Sequence, residues 1–307
     1  MNKAALTGVA LAVAGGVAGT NWYANKTASE VVAQQIQQFS EQTGLAVSYQ
    51  SVDYSLLSNT VVLENISFKE QDTEQGLVEI DRFSLKGYEK GKISPLTVLQ
   101  VQGLSLSNEF KGTAVEAIPS ALSDAKYNLN STMRYDESSG DSQLEFDMSA
   151  EKVVSFGMDI ALSNSRDFME LQHDIQQMHD QGEMTLEAEL QMQSKMITTM
   201  QSLQPVKMSF SLKNEGELKS LVEDELQKNG LDHEQLKAMI ARQMENVPAS
   251  DEAKQAIQSF IAGLSSLEVS MQFPENTSFM QLGLQIQPLA GNPQALEEFL
   301  KLKIVGR

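Results

Sequence analysis

Cysteine is absent from this 307-residue chain, which excludes disulfides, thiolate zinc sites and thiol catalysis at once. Histidine is nearly absent: three residues leave few groups for general acid–base work at neutral pH. Positive charge is scarce as well. Lys and Arg number 23 against 41 Asp and Glu, and the net charge of −18 argues against a nucleic-acid partner and against a basic patch gripping anionic lipid. The chain has no Gly-x-Ser-x-Gly elbow, no phosphate-binding Gly-x-x-x-x-Gly-Lys loop and no dinucleotide fingerprint. His233-Glu234 is followed by Lys237 where a His-Glu-x-x-His zinc helix needs its second histidine. The sequence therefore reads as non-enzymatic and without a cofactor. Its 41% hydrophobic content is nevertheless enough for a real core.

A long apolar run stands at the front. Lys3 precedes an uncharged stretch from Ala4 to Gly19, closed by Trp22, Tyr23 and Lys26, with Leu6, Val9, Leu11, Val13 and Val17 along it. As a helix, Ala4 to Tyr23 would extend roughly 30 Å, the thickness of a bilayer's hydrocarbon core. Trp22 and Tyr23 would then lie at headgroup level. Residues 1–26 are thus expected to anchor the chain in a bacterial inner membrane, with the bulk in the periplasm. The competing reading is a signal peptide cleaved near Ala12-Val13-Ala14, which leaves a soluble periplasmic or secreted protein. A stem helix is expected over 27–44, carrying Val32, Ile36 and Phe39 on one face and ending at Gly44.

Beyond the stem, one eight-residue figure, apolar-x-apolar-x-x-apolar-x-apolar, occurs four times. Its copies are Val47, Tyr49, Val52, Tyr54; Val61, Leu63, Ile66, Phe68; Val78, Ile80, Phe83, Leu85; and Leu99, Val101, Leu104, Leu106. Alternation marks a strand with one buried face, and the two-residue step in the middle breaks the phase as a β-bulge does. Connections too short for helical crossovers predict an antiparallel meander over 45–111.

The segment Val47-Ser48-Tyr49-Gln50-Ser51-Val52-Asp53-Tyr54-Ser55-Leu56-Leu57-Ser58, taken with Gly19-Thr20-Asn21-Trp22-Tyr23, resembles the opening of the YdgA-like family of inner-membrane-anchored proteins. The strands that follow resemble the first repeats of AsmA-like proteins. The resemblance covers about residues 15–110. It implies an envelope location and, from the AsmA-like side, lipid handling; it implies no catalytic residue.

Near Gly112 the pattern changes, and a second β-rich domain is expected over 112–307. Strict alternation predicts strands at Tyr127–Tyr135, Leu144–Met148, Val154–Leu162 (Val154, Phe156, Met158, Ile160), Met184–Met192, Val206–Leu212 and Leu267–Phe273, with a hairpin turn at Glu137–Asp141. Amphipathic helices are expected late, at about 215–264 and 293–301. Asp232 with Gln235, Ser250 and Asn292-Pro293 supply their N-terminal signals. The expected class is α+β, mostly antiparallel β: an extended curved sheet of bulged strands with late helices packed on it.

Met169, His173, Met178, His179, Met184, Met192, Met196, Met200 and Met208 are close in sequence and suit Cu(I) chemically, but methionine on the apolar phase of a strand serves as core filling. The functional expectation is a tethered protein holding lipid or another apolar ligand on a one-faced sheet. The alternative is a scaffolding envelope protein acting through protein contacts alone.

Overall fold

The computed structural model describes residues 28–87, 92–114, 118–181, 186–245, 247 and 249–307. The fold is α+β, and among the described residues there are eleven strands whose pairings are antiparallel. Two compact units divide the chain: unit 1 ends at Arg134 and also takes 176–183, and unit 2 comprises Tyr135–Ile175 and Met184–Arg307.

Unit 1 opens with α1 (Ala28–Thr43), ended by Gly44 in the left-handed region at φ +72°. Five strands follow, β1 (Leu45–Ser48), β2 (Ser51–Ser55), β3 (Thr60–Glu70), β4 (Gly76–Lys86) and β5 (Leu96–Leu106), then the short helices α2 (Asn108–Ala114) and α3 (Ser120–Ser123) and the strand β6 (Tyr127–Asp136). Both β1 and β2 pair with β3, which pairs with β4, then β5, then β6. The unit therefore runs past the change of pattern at Gly112, because β6 pairs with β5.

The fourfold figure has a structural cause that differs from a bulge in each strand. Leu63 faces Phe83 and Ile66 faces Ile80, so β3 and β4 both take their two-residue step at one level with register preserved. The same register carries the step into β5, where Arg82 faces Gln102. Neighbouring strands change phase together, and no strand has to present two residues to its neighbour's one at that level. Asn65 (φ +50°) and Gly103 (φ +66°) mark the line where the chain turns over. A true bulge appears where the repetition stops. Against β6, Val101 faces Leu129 but Leu104 faces Tyr127, and the Asn128 side-chain oxygen accepts from the Gly103 N–H at 3.0 Å.

α1 covers the sheet of unit 1. Val32 is 1% exposed within the core of Val61, Leu63, Phe68, Ile80 and Phe83, Ile36 and Phe39 pack against that core, and Phe39 meets Phe68 edge-on at 6.3 Å. An apolar stripe on a helix beside an apolar sheet face closes on it, since each buried side chain gains about 1.5–3 kcal/mol.

Unit 2 contains β7 (Asp141–Ala150), β8 (Val154–Ser163), β9 (Gln204–Asn214), β10 (Ser266–Gln272) and β11 (Lys303–Gly306), paired in that order. Between β8 and β9 stand α4 (Arg166–Gln181) and α5 (Leu186–Ser202). The strand expected over Met184–Met192 is thus helical at its described residues 186–192. Leu-Glu-Ala-Glu-Leu-Gln-Met-Gln contains strong helix formers and no β-branched residue, so propensity outweighs a short run of alternation. Helices are consequently not confined to the late chain.

After β9 come α6 (Leu218–Lys228), α7 (His233–Glu245) and α8 (Asp251–Gly263). Asp232 and Gln235 form the expected reciprocal capping box, with bonds of 2.7 and 2.9 Å, and the Ser250 hydroxyl accepts from the Ala253 N–H. α9 (Phe279–Ile286) has a capping box at Ser278 and Gln281 that the sequence reading passed over. α10 (Pro293–Phe299) starts at Asn292-Pro293 as expected.

Candidate functional site

Register arranges the apolar positions of unit 2 in rows across the strands. One row is Leu144, Ile160, Met208, Met271; the next is Phe146, Met158, Phe210, Val269, Ile304; the third is Met148, Phe156, Leu212, Leu267. Successive side chains of a strand point to opposite faces, so these rows share one face. Diagonal neighbours on it form an aromatic chain: Phe146 meets Phe156 at 6.0 Å and Phe156 meets Phe210 at 4.8 Å, both edge-on.

None of these side chains is buried. They are half-exposed, and Met148 is 40% exposed. In unit 1 the same kind of stripe is sealed: Val61, Leu63, Ile66, Phe68, Val78, Ile80, Phe83 and Leu85 are all buried, none more than 4% exposed. Val101 is buried beside them, while Leu99, Leu104 and Leu106 are half-buried at the β5 side. Of the residues expected to form an apolar binding face, those on β3 and β4 and Val101 are therefore core, and Val154, Phe156, Met158 and Ile160, like Leu99, Leu104 and Leu106, are partly exposed. At one edge of the unit 2 face, α8 sits so close to β11 that a Cβ on Gly306 would collide with the Ala256 carbonyl.

The opposite face is polar. Glu145, Asp159, Ser209, Ser270 and Lys303 form one row, and Asp147, Gly157, Ser211, Glu268 and Val305 the next. Together with Lys213 they line an open groove of about 540 Å³. Gly157 keeps its middle clear, since a Cβ there would meet the Ser211 hydroxyl at 2.7 Å. The like charges of Glu145 and Asp159, directly opposite each other, are relieved by the Gln143 amide, which donates to both, and by Lys207, 3.4 Å from Asp159. In the sequence these positions stand out only as the wet side of each strand, and the groove they form is not legible there.

The remaining described candidates lie on α4, α5 and β9. Met169 is buried and His173 half-buried on α4; Met178 and His179 follow on the same helix; Met192, Met196 and Met200 recur every fourth residue on α5; and Met208 belongs to the apolar face of β9. Met184 lies outside the described residues, as do the anchor candidates Leu6, Val9, Leu11, Val13, Val17, Trp22 and Tyr23. Among the described residues no three His, Asp or Glu side chains form a metal-binding group, and no helix is long and apolar enough to cross a membrane. Both ring nitrogens of His233 are buried and lack a hydrogen-bond partner among the described residues. Burial pushes the Tyr127 phenol up, and the Ser138 hydroxyl and backbone N–H hold the Asp136 carboxyl below its ordinary value.

The fold and faces define an α+β protein whose second unit presents an accessible apolar sheet surface. A family model described as "Uncharacterized protein" matches residues 147–306, just over half of the chain, and the chain belongs to that family. The matched span runs from within β7 to the end of β11. No curated protein matches the sequence.

Proposed function

We propose that the protein is held in the bacterial inner membrane by residues 1–26, with its folded units in the periplasm, and that it takes up a lipid acyl chain or similar apolar ligand on the β7–β10 face without catalysing a reaction. One observation carries the ligand reading. Three registered rows of apolar side chains contain not one buried member, whereas the matching stripe of unit 1 is closed by its own helix. Accessible apolar area of this kind favours an apolar partner, at about 0.8 kcal/mol per CH₂ group buried. The tether is supported by the apolar run Ala4–Gly19 and the aromatic pair after it. Organic extraction of the purified protein, followed by mass spectrometry, tests the ligand; co-purifying lipid in stoichiometric amount is the expected result, and a lipid-free preparation that takes none up contradicts it.

The scaffolding alternative has its own support in unit 2. Ile197 on α5 and Met280 and Leu284 on α9 are 60%, 47% and 67% exposed on two helices that adjoin. Crosslinking that captures one stoichiometric protein through this patch, with the apolar sheet face still empty of lipid, would favour it.

A further inference from the structure

We infer that the end of unit 1 formed by the β2–β3 turn is a second contact with the bilayer surface, inserting Leu56 and Leu57 among the lipids while Lys86 and Lys92 meet anionic headgroups. This rests on the membrane tether proposed above.

The turn is an unusual place for two leucines. Leu56 is 79% exposed and Leu57 fully exposed, at the tip of a hairpin whose strands pair up to Ser55 and Thr60. Their exposure is not laxity in the turn. The Tyr54 hydroxyl donates to the Asn59 side chain at 3.1 Å, Asn59 takes φ +46°, and its carbonyl accepts from the Gly87 N–H at 2.8 Å. The tip is braced, and the two apolar side chains are held outward on it. Adjacent exposed leucines on a firm turn suit shallow insertion into a bilayer better than a flat protein surface.

Two further features meet at this end. The C-terminus of α1 is tied to β1 through Gly44, and the helix reaches along to β2; the part that touches β2 is therefore its N-terminal part. The start of α1 at Ala28, which the apolar run precedes in sequence, thus lies on the side of the Leu56–Leu57 tip. The second feature is charge. Thr60 faces Lys86, so the end of β4 lies beside the same tip. Lys86 and Lys92 are exposed. Lys86 and Lys92 thus give this end two exposed cations in a chain of net charge −18.

The absence of cysteine makes the test clean. Single-cysteine variants Leu57→Cys, Asp72→Cys and Val13→Cys of the full chain are labelled with an environment-sensitive fluorophore and reconstituted into phosphatidylcholine–phosphatidylglycerol vesicles, with and without quencher-bearing lipid. Asp72 lies in the turn at the other end of β3 and is exposed. The expected result is blue-shifted, lipid-quenched emission at 57 and water-like, unquenched emission at 72, with the shift at 57 reduced by Lys86→Glu and Lys92→Glu together. A label at 57 that behaves like the label at 72 overturns the inference. The label at 13 separates the two readings. Quenching at 13 without quenching at 57 leaves the tether and removes the second contact, and quenching at 57 without quenching at 13 supports the contact and removes the tether. No quenching at either position removes both.

Discussion

Phe156 of β8 stands edge-on to Phe210 of β9, ring centroids 4.8 Å apart and planes at 73°, and both rings are half-exposed. Phe83 in unit 1, by contrast, is wholly buried. The two environments assign different costs to the same substitution. Phe83→Ala is expected to destabilise unit 1 by about 3–5 kcal/mol, because it leaves a cavity. Phe156→Ala is expected to cost about 1–2 kcal/mol, because part of the ring is already in water. Urea unfolding of the two variants checks this; equal losses would mean that the unit 2 face is as closed as the core of unit 1.

Gly103 is expected to be intolerant of any side chain. Its φ of +66° disfavours L residues, and a Cβ there would run into the Asp81 carboxylate. Gly103→Ala should cost about 1–3 kcal/mol for the backbone conformation alone. The double variant with Asp81→Ala should recover the steric part due to the carboxylate, leave the contact with the Asp81 Cβ at 2.8 Å, and keep the conformational part. Thermal melting of both variants measures the split, and a fully additive pair would show that the two residues do not meet.

Gly306→Ala should loosen α8 from β11. The added carbon meets the Ala256 backbone carbonyl, which cannot move aside as a flexible side chain would. Hydrogen exchange should accelerate in Asp251–Gly263 and stay unchanged in α6. Unchanged exchange throughout would refute the close packing.

Asp136 gives a pH dependence of known sign. Its carboxylate accepts from the Ser138 hydroxyl at 2.6 Å and from the Ser138 N–H at 2.9 Å, which lowers its folded-state value below the ordinary 3.8. A depressed folded value contributes stability above the unfolded value, and that contribution is lost as pH falls from about 3.8 through the lowered one. Ser138→Ala should move the Asp136 titration back up, as followed by NMR. A titration that does not move would rule out Ser138 as the cause.

Local signals were legible in the sequence where one residue or one period decides the outcome. Alternation placed β7 through β10; Asp232, Ser250 and Asn292 marked helix starts that form as read; and the repeated figure located the phase change of β3, β4 and β5. The nature of that change was hidden, because a matched step differs from a bulge only in what the neighbouring strand does. α5 was hidden by alternation that helix propensity overrides. The Ser278–Gln281 box could have been read, since Ser-x-x-Gln is its ordinary signature. The difference between the two apolar faces was not readable at all. Val61 and Phe156 have the same pattern around them, and only the placing of α1 buries the first and leaves the second accessible.

The most direct test of the account is native mass spectrometry of the intact protein released from detergent, alongside a Phe156→Asp, Phe210→Asp variant that charges the apolar face. The account predicts a lipid-sized mass on the unaltered protein and its loss from a variant that remains folded. An unaltered protein at its bare chain mass, or a variant that retains the ligand, would contradict it.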